Sequence, residues 1–151
     1  MKSNNFSTLD GSKLRIAIIG ARFNQELTDA LVQDCEQALT DASVTNVHTL
    51  RVPGSFELPV AADALAQSGK FDAIICLGVI IKGDTRHDHY IADAVANGLT
   101  NVSLTYHLPV VFGVLTTENK EQAEVRSLGG QKKGYEAGMS AIETVLAIKK
   151  S

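Results

Sequence analysis

The chain has 151 residues, enough for one ordinary domain with a substantial core and too few for two. Hydrophobic residues make up 44% and charged residues 21%, which excludes a disordered chain. The formal charge of −3 gives no global attraction to nucleic acid or to an anionic membrane, so any anion site has to be built locally.

The first apolar run, residues 14 to 19 ending at Gly20, predicts a strand, and Leu27, Ala30, Leu31, Cys35, Ala38, Leu39 and Ala42 then fall on one helical stripe. A second strand is expected over residues 44–52. Pro53 and Gly54 break it before a helix from about residue 57 to 67, whose first turn tolerates Pro59. The third strand covers residues 73–81, and its helix carries Ile91, Ala94, Val95, Gly98, Leu99 and Val102. A fourth strand follows over residues 110–115. Asn119 with Gln122 marks a helix start, and Gly129 and Gly130 separate it from a last amphipathic helix bearing Tyr135, Met139, Ile142, Val145 and Leu146. Lys149 and Lys150 suit the dipole at its C-terminus.

Alternating strands and helices imply a parallel sheet, because parallel neighbours need right-handed crossovers that cover both faces. The expectation is one three-layer α/β sandwich over residues 1–151, with residues 1–11 loose on their own. Cys35 and Cys76 read as small core residues rather than a disulfide or metal pair. No apolar run approaches a membrane span and the opening MKSNNFSTLDGSK lacks the apolar core of a signal peptide, so a cytoplasmic location is expected.

In open parallel sheets ligands lie beyond the carboxyl ends of the strands, and the polar clusters of this chain fall there. Arg22, Phe23 and Asn24 follow the first strand, and Ser55, Phe56 and Glu57 the second. Gly83, Asp84, Thr85 and His87 follow the third, and Thr116 and Thr117 the fourth. Convergence of these four loops would suit a polar, planar, partly hydroxylated molecule. The Gly83 turn offers free N–H donors at the positive end of a helix dipole, a setting for phosphate. His87 at its edge can carry protons near neutral pH.

Competing motifs fit less well. The spacing from Gly78 to Thr85 imitates a P-loop, but Asp84 occupies the lysine slot and would repel a nucleoside triphosphate. The first turn, GARFN, lacks the glycine pattern of dinucleotide folds, so no nucleotide cofactor is expected. His87 and His89 with Asp84 and Asp88 offer metal-ligand chemistry, yet histidines two apart need not converge and no third cluster accompanies them. Phe23 and Phe56 fit either core plugs or stacking platforms, and Glu57 either a ligand contact or a helix-end charge. Nothing local separates ligand binding from solvated charge at Arg126 and Lys133. His48 and His107 read as structural.

Taken together, ARFN at 21–24, PGSFELP at 53–59, GVIIKGDTRHDHY at 78–90, PVVFGVLTTEN at 109–119 and Arg126 with KKG at 132–134 resemble the lumazine synthase family. The resemblance runs from about residue 14 to the C-terminus. It implies a flavodoxin-like sandwich with sheet order 2-1-3-4 and a transferase that makes 6,7-dimethyl-8-ribityllumazine in the penultimate step of riboflavin biosynthesis, without metal or cofactor. The implied reactants are 5-amino-6-(D-ribitylamino)uracil and 3,4-dihydroxy-2-butanone 4-phosphate. By the same resemblance Phe23 stacks on the pyrimidine, while Asn24, Ser55, Phe56 and Glu57 line the pyrimidine and ribityl region. The backbone at Ile80 and Ile81 hydrogen-bonds the heterocycle, Asp84 and Thr85 present amides to the phosphate with Arg126, and His87 carries protons. Phe112 and Lys133 are implied to come from a neighbouring protomer of a homopentamer, either free or packed into an icosahedral shell. The tail over residues 1–11 is expected to add an edge strand to an adjacent subunit. Lys82 departs from the family's usual arginine, Asp88 and His89 from its usual aromatic–acidic pair, and the segment 127–132 is one residue shorter than the common form.

Overall fold

In the computed structural model, which describes residues 9–150, four parallel strands and five α-helices alternate as the hydrophobic pattern requires. They are β1 (Arg15–Ala21), α1 (Gln25–Asp41), β2 (Asn46–Val52), α2 (Leu58–Gln67), β3 (Ala73–Ile81), α3 (His87–Tyr106), β4 (Val110–Thr117), α4 (Lys120–Ser127) and α5 (Lys133–Lys149). A single 3-10 turn, Ser55–Glu57, precedes α2. The sheet order is β2-β1-β3-β4, with Ile16 opposite Val47 on one side and Ala73 on the other, as the flavodoxin-like expectation requires.

β1 and β3 are central and buried on both faces, which is why they read as continuous apolar runs rather than alternating ones. Ile16, Ile18, Ile75 and Leu77 pack against Leu31, Leu39 and Ile142 of α1 and α5, while Ala17, Ile19, Ile74 and Cys76 pack against Leu58, Val95 and Leu99 of α2 and α3. The edge strand β2 is exposed from Asn46 to Thr49. On the α1 side the fit depends on backbone proximity: a Cβ on Gly134 would land on the Leu31 carbonyl, and one on Gly138 would sit 2.9 Å from Ala38 Cβ. The Tyr135 hydroxyl donates to Asp41 at 2.7 Å and fastens the same two helices.

Several boundaries move. β1 continues through Gly20 to Ala21, because a side chain at Gly20 would meet Arg51 Nη1 at 2.8 Å and Val32 at 2.9 Å, and the bare backbone lets the strand pass. β2 starts at Asn46 rather than residue 44, since Ser43 takes a left-handed turn (φ 66°) and Val44 is buried before pairing begins. β4 extends two residues past the expected end, so Thr116 and Thr117 belong to the strand. Ala30 is half-buried and Ala94 exposed on their helices, and Ala42 caps α1 rather than lying within it. Asn119 caps α4, its side chain accepting from the Gln122 amide at 2.9 Å. Beyond its dipole position, Lys149 pairs with Asp72 at 3.7 Å.

Residues 9–11 are not loose: the Gly11 amide donates to the Ala42 carbonyl at 2.7 Å and Leu9 packs against the core. The edge-strand expectation for the rest of the tail falls on residues 1–8, outside the described residues. At the amino ends of β1 and β3, Asp72 accepts from the Arg15 amide at 2.8 Å and pairs with its guanidinium at 3.3 Å. Burial alone would push the Asp72 carboxyl up, but the Arg15 hydrogen bonds and the Lys149 charge hold it below the usual range. Among the described residues, no helix is long and apolar enough to cross a membrane.

Candidate functional site

At the carboxyl end of β1 the chain crosses toward β2, with the Arg22 amide donating to the Val52 carbonyl at 2.7 Å and the Phe23 amide to the Pro53 carbonyl at 3.0 Å. Asn24 then adopts a left-handed conformation (φ 58°) to start α1, which asparagine tolerates better than most residues. Its side-chain amide donates to the Val79 carbonyl at 2.8 Å and ties this loop to the end of β3. Phe23, held between these anchors, is 72% exposed, which rules out the core-plug reading. Phe56 is also exposed.

After β2 the Glu57 carboxylate accepts from the Gly54 amide at 2.9 Å and closes the 3-10 turn, so one of its oxygens serves the backbone. Ser55 points inward against β3. A Cβ at Gly78 would lie 2.5 Å from the Ser55 hydroxyl, so glycine there makes room for it. β3 itself ends in Ile80 and Ile81, and the Lys82 amide donates to the Thr117 carbonyl at 2.9 Å.

The next four residues leave regular structure. Among the described residues the amides of Gly83, Asp84, Thr85 and Arg86 donate to no acceptor in the chain, and all four residues are exposed. The His87 amide reaches the Thr85 hydroxyl at 3.3 Å, and His87 opens α3. Free amides thus meet the positive end of a helix dipole, the arrangement that favours an oxyanion.

These segments enclose a cavity of about 400 Å³. Of the residues singled out from sequence, Phe23, Ser55, Ile80, Ile81, Gly83, Thr85 and His87 line it. Asn24 and Glu57 stand behind it as loop anchors, and Phe56 and Asp84 belong to the same loops without lining it. The carboxyl end of β4 contributes nothing to this wall, so three loops converge rather than four. Thr117 stays in its strand with its hydroxyl donating to the Asn119 carbonyl at 2.9 Å, and the Lys82–Glu118 ion pair at 3.4 Å bridges the two strand ends.

Phe112 and Lys133 sit elsewhere, in a separate cavity of about 180 Å³ between β4 and α5, where Lys133 pairs with Glu136 at 3.3 Å. Phe112 is 45% exposed there. Arg126 lines neither cavity; its guanidinium donates to the Gln122 carbonyl at 2.8 Å and has no carboxylate partner among the described residues. Both thiols are sealed in the core, where burial pushes them far above the ordinary cysteine range and makes them inert.

Val79, Asp88 and Ile91 complete the wall and were not singled out for it. The signal for Asp88 was present: stepping back from Val95 and Ile91 at helical spacing lands on residue 88, on the inward face. Its acidic side chain masked that position as polar surface.

A family model described as 6,7-dimethyl-8-ribityllumazine synthase matches residues 13–149. A protein of that name from Kineococcus radiotolerans is 47% identical over 144 residues, covering 93% of this chain and 89% of its own length. Another of the same name from Kocuria rhizophila is 44% identical over 145 residues, covering 94% of this chain and 92% of its own.

Proposed function

Because the chain belongs to the 6,7-dimethyl-8-ribityllumazine synthase family, we propose that it is an enzyme that condenses 5-amino-6-(D-ribitylamino)uracil with 3,4-dihydroxy-2-butanone 4-phosphate. The product is 6,7-dimethyl-8-ribityllumazine, formed in the penultimate step of riboflavin biosynthesis. The single observation that carries the site assignment is the juxtaposition of unpaired amides, a helix N-terminus and His87 at one cavity beside an exposed Phe23.

In this reading Phe23 stacks on the pyrimidine, the backbone at Ile80 and Ile81 meets its edge, and Ser55 faces its polar substituents. The butanone phosphate sits with its phosphate on the amides of residues 83–86. The amine attacks the ketone carbon, the carbonyl electrons move to oxygen, and loss of water gives an imine. Phosphate then leaves by elimination, the resulting enol tautomerises, and the second ring closes with loss of water. His87 stands where these proton transfers occur. Holding two reactants in register lowers such a barrier by roughly 7–11 kcal/mol in well-oriented cases, so approximation dominates and His87 assists.

Phe112, Lys133 and Arg126 do not reach this cavity within one chain. Their separation supports a site completed by a neighbouring protomer, with Arg126 clamping the phosphate through its forked donors. A homopentamer of single-domain chains, free or packed into a shell, meets that requirement. A cytoplasmic location accompanies the biosynthetic role. The test is to mix both reactants with purified protein and follow lumazine fluorescence: the reading requires formation faster than the spontaneous condensation, and an unchanged rate refutes it.

A further inference from the structure

We propose that Asp88 is a substrate-binding residue whose carboxylate accepts a hydrogen bond from the N–H and O–H donors of the aminouracil reactant. The inference rests on the synthase reading above and adds to it a determinant of which reactant occupies the deep part of the cavity.

Asp88 is 7% exposed, and it is the one charged side chain among the buried polar residues described. It occupies the second position of α3 and faces the cavity, while its neighbours His87 and His89 lie exposed on either side. Among the described residues its Oδ1 is buried without a hydrogen-bond partner and no ion pair reaches the carboxylate. A carboxylate in the first turn of a helix is favoured by the dipole whether exposed or not. The dipole therefore accounts for an acid at this position but not for its burial with an acceptor left open. Buried polar groups are ordinarily paired, and an unpaired acceptor on a residue that lines a cavity suits a donor brought by a ligand.

The wall around Asp88 narrows the identity of that partner. The side chains of Val79, Ile80, Ile81 and Ile91 are apolar and accept nothing, so the carboxylate is the strongest acceptor the side chains of the cavity present. The two reactants differ sharply in what they offer it. The butanone phosphate carries an anion that a desolvated carboxylate repels. The aminouracil is neutral and rich in N–H and O–H donors. Asp88 thus favours the amine reactant in the apolar depth and leaves the phosphate to the exposed amides of residues 83–86.

Two variants of the intact assembly test this by steady-state kinetics with each reactant varied in turn. Asp88→Leu, which removes the acceptor at similar volume, raises the KM for the aminouracil by about 10- to 100-fold, as expected for a lost charge-assisted hydrogen bond, and leaves the KM for the butanone phosphate within about twofold of the parent. Asp88→Asn, which keeps a neutral acceptor of the same shape, loses less. A structural role would not give that split. Without reactants, Asp88→Leu unfolds at the same or a higher temperature than the parent, because it removes a buried polar group whose Oδ1 is unpaired among the described residues. An aminouracil KM at the parent value in Asp88→Leu, or an equal rise in both KM values with a lower Tm, overturns the proposal. If the parent itself forms no lumazine the synthase reading fails and takes this proposal with it, whereas a working parent with an indifferent Asp88→Leu removes only the role of Asp88.

Discussion

His87 and Asn24 show how differently two polar residues of one rim are used. Asn24 spends its side-chain amide on the Val79 carbonyl, while His87 keeps its imidazole exposed at the cavity and its backbone amide on the Thr85 hydroxyl. In the proposed mechanism, replacing His87 removes proton transfer without disturbing the rim. His87→Ala is expected to lower kcat by about 10²–10⁴-fold at most and to leave turnover measurably above the uncatalysed condensation, as single-turnover fluorescence will report. Complete loss of acceleration would mean that His87 does more than assist. At this scale the cavity lining was legible at Phe23, Ser55 and Thr85, which follow strand ends, but not at Thr116 and Thr117, which stay in β4 away from it. It was opaque at Glu57, where the choice between ligand and cap depends on the Gly54 amide that happens to lie 2.9 Å away.

Among the elements, the central strands were legible because β1 and β3 bury both faces and so read as continuous apolar runs. The ends of β2 and β4 were not, since edge strands mix exposed and buried positions and their limits follow pairing with a neighbour. Contact between α1 and α5 likewise leaves only glycines in the sequence as a trace. Gly134→Ala drives a methyl group into the Leu31 carbonyl, and forcing these helices apart is expected to cost about 1–3 kcal/mol, read as a lower urea midpoint. At the opposite end of the sheet, Asp72 ionises below its ordinary 3.8, so its stabilisation is complete above that value and is lost as pH falls through the lower folded-state value. Asp72→Asn should accordingly lower the urea midpoint at pH 7, with the gap to the parent closing as pH drops below 3.8. A gap independent of pH would assign the effect to packing instead.

For the whole molecule the decisive fact is that one chain carries two separate cavities, one lined by Phe23 and His87 and the other by Phe112 and Lys133. Sequence order said that both sets of residues exist but not that a single copy keeps them apart, because that separation is a property of the sheet's width. If adjacent protomers bring them together, a site needs His87 from one chain and Arg126 from the next. Co-refolding equal amounts of His87→Ala and Arg126→Ala should then restore about one intact site in four, whereas each variant refolded alone stays impaired. Activity of the mixture equal to the average of the two would place both groups in the same subunit.

The two inert thiols lie on opposite faces of the sheet, Cys35 in the layer under α1 and α5 and Cys76 in the layer under α2 and α3. Since neither can react while its own layer is closed, each becomes a clock for the half of the protein that hides it. The order in which an alkylating reagent marks them reports which side of the sandwich opens first, with no probe added and no residue of the rim disturbed.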